Sequence, residues 1–212
     1  MIFTQYMITN VMLWVIQIIS VVSIAPQILL TYKTKSTKGL SDFFLISYFS
    51  AYVVHLCYIY CLDFPIAYKI TVPITFFLVL VLCFQRLFCF KDKVVRYSAR
   101  LYCVNFLIIF LLVVLAIRFP YKIGHLAGWL SVVIWTVYQL PQVYRIYSKK
   151  SVEGFSFSFV SLSGLDNLLG LVAILSLGLP VQSVLVAIRG LLFSVIFGLQ
   201  FWMYGKRSRI QG

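Results

Sequence analysis

The sequence predicts an all-α membrane protein with seven transmembrane helices, arranged as two parallel three-helix repeats joined by a linker helix (3+1+3). The first observation is composition: 62% of the residues are apolar and 11% are charged, whereas soluble domains average about 45–50% and about 25%. The second is length, because 212 residues accommodate about seven spans of roughly 20 residues each. The third is an internal repeat at a constant offset of 115 residues, which is typical of duplicated membrane bundles.

Seven apolar segments bounded by polar or basic residues supply the predicted spans. Their approximate bounds are 7–32, 43–62, 66–88, 101–117, 123–147, 155–177 and 181–204. Grouped by the repeat, they predict a first three-helix unit at 1–90, a basic loop with a linker helix at 91–121, and a second three-helix unit at 122–212. Because a single span separates the two units, both have the same orientation in the membrane.

The distribution of positive charge predicts the orientation of the chain. Of the 18 Lys and Arg residues, 14 fall on one side of the predicted membrane, and the net charge is +13. Basic loops mark the cytoplasmic side, so the C-terminus is predicted to be cytoplasmic and the N-terminus outside or luminal, in a plasma membrane or a lysosome-like membrane. The charges lie in short clusters between apolar runs, which favours contact with membrane lipids and argues against a nucleic-acid partner.

The repeat is built around a Pro-Gln pair near the end of a long apolar helix. The pair occurs as Pro26-Gln27 and as Pro141-Gln142, and each copy is followed by a Tyr, a short basic loop and a Ser-x-x-Gly-[Leu/Phe]-Ser segment. The same register continues without a gap through three predicted helices. Further pairs are Tyr32 with Tyr147, Ser36 with Ser151, Gly39 with Gly154, Pro65 with Pro180, and Gln85 with Gln200.

Proline inside a helix removes one backbone hydrogen bond and clashes with the carbonyl four residues earlier. In hydrocarbon the freed carbonyl needs a partner or a cavity, and Gln27 and Gln142 lie next to the two prolines with donors available. Pro26 and Pro141 therefore predict a symmetric pair of hinges at the cytoplasmic mouth, with a static kink as the alternative.

Asp166 is the main candidate for chemistry. It lies 11 residues into the sixth predicted span, roughly 16 Å deep at about 1.5 Å per residue, near the middle of the bilayer. An ionisable group at this depth is a functional candidate, and Asp166 is a candidate proton carrier. The alternative is a structural ion pair with Arg189 in span seven. The two interpretations can coexist, because a proton or a cationic solute can compete with Arg189 for the carboxylate.

Other polar side chains in the spans are candidate substrate contacts. Asn167 pairs with Tyr52 through the repeat, and both are predicted to point toward the central axis beside Asp166. Arg189 joins this predicted substrate-binding set. Lys69 lies near the outer end of span three, where it either extends toward lipid headgroups or binds a substrate carboxylate.

For five aromatic or titratable residues the sequence leaves the role open. Tyr32 and Tyr147 mark equivalent helix ends, where they either form an inner gate or anchor the helices at the membrane interface. His55 can titrate near neutral pH, although packing is the favoured interpretation. Trp129 and Trp135 either line a path or face lipid.

The duplicated arrangement of Pro-Gln, basic loop and Ser-x-x-Gly-[Phe/Leu]-Ser resembles the PQ-loop family over nearly the whole chain. That family includes lysosomal exporters of cystine and cationic amino acids and is related to the sugar-transporting SWEETs. The resemblance implies a seven-helix bundle with a central substrate path, alternating access, and hinges at Pro26, Gln27, Pro141 and Gln142. Cystinosin-like members carry a proton-coupling Asp in a Leu-Asp-x-x-Gly-like context, which falls on Asp166. The first half departs from this pattern because its equivalent position is an alanine.

These observations predict a transporter for a small polar solute, most simply an amino acid or related zwitterion, coupled to protons through Asp166. One alternative is a SWEET-like uniporter for a sugar or other neutral metabolite. A second is a non-transporting membrane receptor or scaffold. The chain shows no Ser-His-Asp grouping, metal-ligand cluster or phosphate-binding Gly-rich loop, so neither an enzyme, a cofactor nor a metal is predicted.

Overall fold

The computed structural model describes residues 2–37, 39–89 and 96–208, and within these ranges the regular structure is entirely helical. The helices are α1 (Ile2–Ser23), α2 (Ala25–Thr34), α3 (Asp42–Cys61), α4 (Ile66–Phe84), α5 (Arg96–Arg118), α6 (Pro120–Val137), α7 (Leu140–Lys149), α8 (Phe157–Ser176) and α9 (Val181–Ser208). A π-helical turn, Gln85–Cys89, directly follows α4.

Six stretches of the described residues are long and apolar enough to cross a membrane. They are Asn10–Thr34, Asp42–Cys61, Ile66–Leu87, Pro120–Lys149, Phe157–Ser176 and Val181–Gly205. Two of them combine a long helix with the short helix after it, namely α1 with α2 and α6 with α7. The predicted fourth span falls on α5, where the apolar stretch is the shorter Phe106–Arg118. A seventh span therefore remains a prediction.

The six long apolar stretches form a closed ring. In the first half α4 packs against both α1 and α3, and in the second half the equivalent helix α9 packs against α6 and α8. The halves meet through α1 with α8 and through α3 with α6, so equivalent helices face each other across the ring. Helix α5 packs on the outside, against α3 and α6. This arrangement leaves a central space bordered by all six helices.

Both Pro-Gln pairs follow a break in the helix. The first break is at Ile24, whose carbonyl accepts from the amides of Gln27 at 3.1 Å and Ile28 at 3.2 Å. The second precedes Pro141, and there the Gln139 carbonyl accepts from two amides in the same pattern, at 3.1 and 3.0 Å. The same local geometry therefore redirects the chain in both halves. The end of the bundle that holds α2, α7 and the loops after them is called the Pro-Gln end below.

Candidate functional site

A cavity of about 140 Å³ lies at the centre of the ring. Side chains from all six ring helices line it, and the described lining residues include one acidic and one basic group, Asp166 of α8 and Arg189 of α9. Buried charges are costly in an apolar setting unless they are paired or functional. The surroundings of these two groups therefore determine what the cavity can hold.

One wall of the cavity, formed by α3 and α6 with the residue after α6, is aromatic. Its rings belong to Tyr48, Tyr52, His55, Trp135 and Tyr138. Tyr48 and Tyr138 stack with centroids 5.2 Å apart and planes only 5° apart, and Tyr52 meets Trp135 edge-on at 5.1 Å. Interlocked rings of this kind are stiff and offer both apolar faces and polar edges.

The opposite wall, formed by α1 and α8, carries small polar groups instead. Ser20 and Ser23 of α1 and Ser163 and Asp166 of α8 line the cavity here. Asn167 lies beside Asp166 and donates from Nδ2 to the Ser163 carbonyl at 2.6 Å. A methyl group on Gly190 of α9 would overlap the Asn167 amide, so the missing side chain at Gly190 lets Asn167 occupy this place.

Arg189 is held from one side by groups at the end of α6. Its Nη1 donates to Gln139 Oε1 at 2.8 Å, and Gln139 in turn donates to the Tyr138 hydroxyl at 2.7 Å. The guanidinium carbon lies 5.5 Å from the ring centre of Trp135 and 5.8 Å from that of Tyr138, within the range of cation–π attraction. These contacts fix the guanidinium group while its Nε remains buried without a hydrogen-bond partner.

Asp166 and Arg189 are not paired with each other. The ion pairs in the described part of the chain join Lys69 to Asp63 and Arg86 to Asp42. The structural ion pair considered from the sequence is therefore not formed in this conformation. The cavity instead presents one carboxylate and one guanidinium as separate groups.

Three nitrogen atoms at the cavity are buried and have no hydrogen-bond partner. They are His55 Nδ1, Trp135 Nε1 and Arg189 Nε, and all three residues line the cavity from the α3, α6 and α9 side. Buried polar atoms are nearly always paired in native proteins, so each unpaired one needs an explanation. Three of them on one side of one cavity single out that side as a candidate binding surface for water or a solute.

An aromatic cluster of Phe44, Tyr48, Tyr138 and Phe155 closes the cavity toward the Pro-Gln end. Phe44 stacks on Tyr138 at 5.2 Å and meets Phe155 edge-on at 6.4 Å, so rings from both halves interlock. Tyr48 and Tyr138 line the cavity, whereas Phe44 and Phe155 are buried below it. The rings therefore separate the cavity from the loops at that end.

Below the aromatic cluster, each Pro-Gln glutamine binds the loop of the other half. Gln27 donates to the Gly154 carbonyl at 3.1 Å and accepts from the Ser156 amide at 2.8 Å. At the equivalent positions, Gln142 donates to the Gly39 carbonyl at 3.0 Å and accepts from the Ser41 amide at 3.1 Å. Reciprocal contacts of this kind are the signature of a two-fold relation. We call these four hydrogen bonds the glutamine clasp.

The two loops touch directly at their glycines. A methyl group built on Gly39 would overlap the backbone of Gly154, and one built on Gly154 would come within 2.6 Å of the Gly39 Cα. Gly154 also has a φ of +73°, a conformation that glycine adopts at no steric cost. Glycine at both positions is therefore needed for the glutamines to reach the opposite loop.

Several residues predicted from the sequence lie outside the cavity. Lys69 pairs with Asp63 in the loop after α3, and its hydrogen bond lowers the pKa of that carboxyl group. Tyr32 and Tyr147 are 69% and 62% exposed on the short helices of the Pro-Gln end, and Trp129 is 50% exposed on the outer surface of α6. By contrast, the cavity is lined by Tyr52, Trp135, Asp166, Asn167 and Arg189.

The cavity is also lined by Tyr48, Tyr138 and Gln139, which were not predicted from the sequence. It is lined as well by His55, for which packing was the favoured interpretation. A signal was present in the repeat. The α8 residues that line the cavity are Ser163, Asp166, Asn167, Gly170 and Ile174. Moving the first four back by 115 positions gives Tyr48, Ala51, Tyr52 and His55, three of which line the cavity on α3. The cavity-lining residues around Asp166 on α8 thus predict which residues of the equivalent helix α3 line the cavity.

Comparison with known proteins identifies the repeat. A family model of the PQ loop repeat matches twice, at residues 8–68 and 123–183. Both ends of the two matches are 115 residues apart, which reproduces the offset read from the sequence. A search among curated proteins returned no match. Because the matched residues make up more than half of the chain and each match contains one Pro-Gln pair, the chain belongs to the PQ-loop family of transporter-type membrane proteins.

Proposed function

We propose that the protein moves a small zwitterionic solute, most simply an amino acid, across a membrane by alternating access with proton coupling through Asp166. One observation carries the proposal: the central cavity holds one carboxylate and one guanidinium, Asp166 and Arg189, that are not paired with each other. An α-amino acid carries the two complementary charges on neighbouring atoms. Its ammonium group would meet Asp166 while its carboxylate meets Arg189.

The arginine is prepared for a carboxylate. Guanidinium groups bind carboxylates through two parallel hydrogen bonds, and Arg189 has a free buried Nε while Gln139 and two aromatic rings fix its orientation. Preorganisation of this kind lowers the entropic cost of binding. A neutral sugar would leave both the guanidinium and the carboxylate without a matching charge.

Proton coupling follows from the same arrangement. An ionised carboxylate with no cationic partner is costly inside a membrane-spanning bundle. When the solute's ammonium group leaves, a proton can take its place on Asp166, which lies on α8 where this helix packs against α1 of the other half. Movement of the halves against each other would therefore be linked to whether Asp166 carries a proton or faces a cation.

The glutamine clasp supports alternating access with closure at the Pro-Gln end. Each half contributes one glutamine and one receiving loop, so the two halves must separate for that end to open. Helix breaks precede both Pro-Gln pairs and offer places to bend. With the Pro-Gln end on the cytoplasmic side, as the basic loops predict, this conformation would be closed toward the cytoplasm.

The decisive experiment is uptake into liposomes containing the purified protein, with alanine as the probe and an imposed pH gradient. Because proton and ammonium group alternate on Asp166, we expect the wild type to accumulate alanine in liposomes whose interior is the more acidic side, and Asp166→Asn to abolish this pH dependence. Arg189→Gln should weaken alanine binding far more than binding of alaninamide, which lacks the carboxylate. Uptake that is unchanged by Asp166→Asn would instead indicate a uniporter. Failure to move any amino acid or sugar would indicate a receptor or scaffold.

A further inference from the structure

We infer that His55 contacts the side chain of the bound zwitterion and makes the cavity select solutes whose side chain carries an uncharged hydrogen-bonding group. This inference rests on the proposed function and deepens it, because it assigns a specificity-determining residue and a narrower substrate class to the same cavity. It starts from the unpaired His55 Nδ1, which the contacts described above leave without a role.

The protein surroundings of His55 offer aromatic rings rather than a partner for Nδ1. The Tyr58 ring of the same helix lies 5.9 Å away, and the Trp135 ring of α6 stands perpendicular to the imidazole at 6.2 Å. The Tyr58 hydroxyl is engaged elsewhere, with the Ser183 hydroxyl of α9 at 3.1 Å. A histidine packed only for its shape would not need a polar atom that is buried and unpaired. His55 lines the cavity, and a bound molecule can supply the missing hydrogen bond once the imidazole turns Nδ1 toward that space.

The wall across from His55 leaves room for that molecule. Helices α3 and α8 are equivalent and lie on opposite sides of the ring, and the position equivalent to His55 is Gly170. Gly170 lines the cavity, and a methyl group built on it would meet nothing within 4 Å. At this level the first half therefore contributes a hydrogen-bonding ring and the second half contributes empty space.

The distance along the cavity between the level of Asp166 and the level of His55 fits a short side chain. Asp166 precedes Gly170 by four residues on α8, which is about 6 Å along a helix. A zwitterion whose ammonium group meets Asp166 would thus direct a short side chain toward the His55 level. Since Asp166 is the one carboxylate among the described lining residues, a cationic side chain would find no second counter-charge there. An uncharged polar side chain would satisfy the imidazole.

Pairs of amino acids with nearly the same shape test this inference. We would measure the dissociation constants of threonine and valine, and of asparagine and leucine, with the purified full-length protein by ligand-induced thermal shift and calorimetry. A single neutral hydrogen bond predicts about 2- to 10-fold tighter binding of the polar member of each pair. His55→Phe should weaken the polar members to the level of the apolar ones, and His55→Gln should retain part of the preference.

The second histidine of the chain provides the matched control. His125 of α6 stacks edge-on against Tyr121 at 4.8 Å and does not line the cavity, so His125→Phe should keep the preference. The inference is overturned if the wild type binds both members of each pair equally, or if His55→Phe keeps the preference. Should His55→Phe not fold, His55→Gln takes its place: a reduced preference supports the inference, and an undiminished preference overturns it. Binding that depends on Asp166 and Arg189 but is equally tight for polar and apolar side chains refutes this inference alone. Failure to bind any of the four amino acids refutes the proposed function as well.

Discussion

Replacing one glutamine of the clasp with leucine should open the Pro-Gln end. Gln27 is 1% exposed and Gln142 is fully buried, and each amide satisfies one carbonyl and one amide of the opposite loop. Leucine has a similar size but can make neither bond. Gln27→Leu would strand the Gly154 carbonyl and the Ser156 amide in the closed conformation, while water can satisfy both groups once the loops separate.

The magnitude follows from these two backbone groups. The Ser156 amide makes a buried hydrogen bond and the Gly154 carbonyl a partly buried one. A buried unsatisfied group costs about 1–3 kcal/mol, so Gln27→Leu raises the free energy of the closed conformation by at least that amount relative to the open one. Even about 1 kcal/mol shifts the ratio of closed to open molecules about 5-fold, since about 1.4 kcal/mol corresponds to a factor of ten. A protein that is mostly closed would then become measurably open.

Distance measurement by electron paramagnetic resonance can detect this shift. Thr34 and Lys149 are equivalent, exposed residues at the ends of α2 and α7, so spin labels on cysteines placed there report the separation of the halves. The five native cysteines would first be replaced. We expect Gln27→Leu and Gln142→Leu to lengthen the distance distribution in lipid nanodiscs.

Gln182→Leu serves as the control, because Gln182 is also buried, at 5% exposed, but lies near the start of α9 and takes no part in the clasp. The reasoning is refuted if both clasp variants keep the wild-type distribution. It is also refuted if Gln182→Leu lengthens the distance equally, since the effect would then be general destabilisation rather than loss of the clasp.

Three further substitutions test individual contacts. Gly39→Ala should lower the free energy of unfolding by about 1–3 kcal/mol, and with it the melting temperature, because its methyl group would overlap the opposite loop. Gly190→Ala should weaken alanine binding several-fold in calorimetry, since the added methyl group displaces Asn167. Thr31→Ile should speed amide hydrogen exchange in α2, because it removes the 2.6 Å hydrogen bond to Gln85 Oε1 and leaves that buried oxygen unpaired, at a cost of about 1–3 kcal/mol.

Each of these changes has a counterpart elsewhere in the chain. Alanine at Gly198 would meet nothing within 4 Å, and Gly198 does not line the cavity, so Gly198→Ala should change neither the melting temperature nor alanine binding. Ile146 occupies the position equivalent to Thr31, and Ile146→Val removes a methylene group without removing a hydrogen bond. Equal effects of a substitution and its counterpart would contradict the contact assigned to it.

The sequence predicted the features that depend on local pattern. Composition and apolar runs predicted membrane-spanning helices, and the 115-residue register located the Pro-Gln pairs, next to which the helices break. It did not predict what Gln27 and Gln142 bind. Their partners are backbone groups more than 100 residues away, and reciprocal pairing across a two-fold relation appears only when the halves are packed together.

The composition of the cavity was harder to predict because uniformly apolar helices do not reveal which face they turn inward. Asp166 marked the inward face of α8, and the repeat indicates the equivalent inward face of α3. The contacts of Arg189 had no comparable signal, because Gln139 and Trp135 come from a different helix pair whose distance to α9 depends on the packing of the ring. Lys69 is the converse case, since its partner Asp63 is six residues away and lies outside the cavity.

Comparison of the halves shows where the duplicated units have become different. The glutamine clasp uses the same residue types in both halves, whereas other equivalent contacts have changed chemistry. The ion pair of Arg86 with Asp42 at 2.7 Å in the first half corresponds to a ring contact of Phe201 with Phe157 at 5.3 Å in the second. The cavity pairs differ in the same way: Tyr48 with Ser163, Ala51 with Asp166, Tyr52 with Asn167, and His55 with Gly170.

This division has a physical reason. Two halves that close against each other need complementary surfaces. A self-complementary contact that is made twice, as in the glutamine clasp, supplies the matching surface on each half. A zwitterion has no two-fold symmetry, so a cavity with identical walls would offer it two equivalent orientations and hold neither firmly. With Asp166 on one wall and Arg189 held against the aromatic wall, one orientation is favoured. Under the proposed function, the symmetric residues would serve closure and the asymmetric ones would recognise the solute.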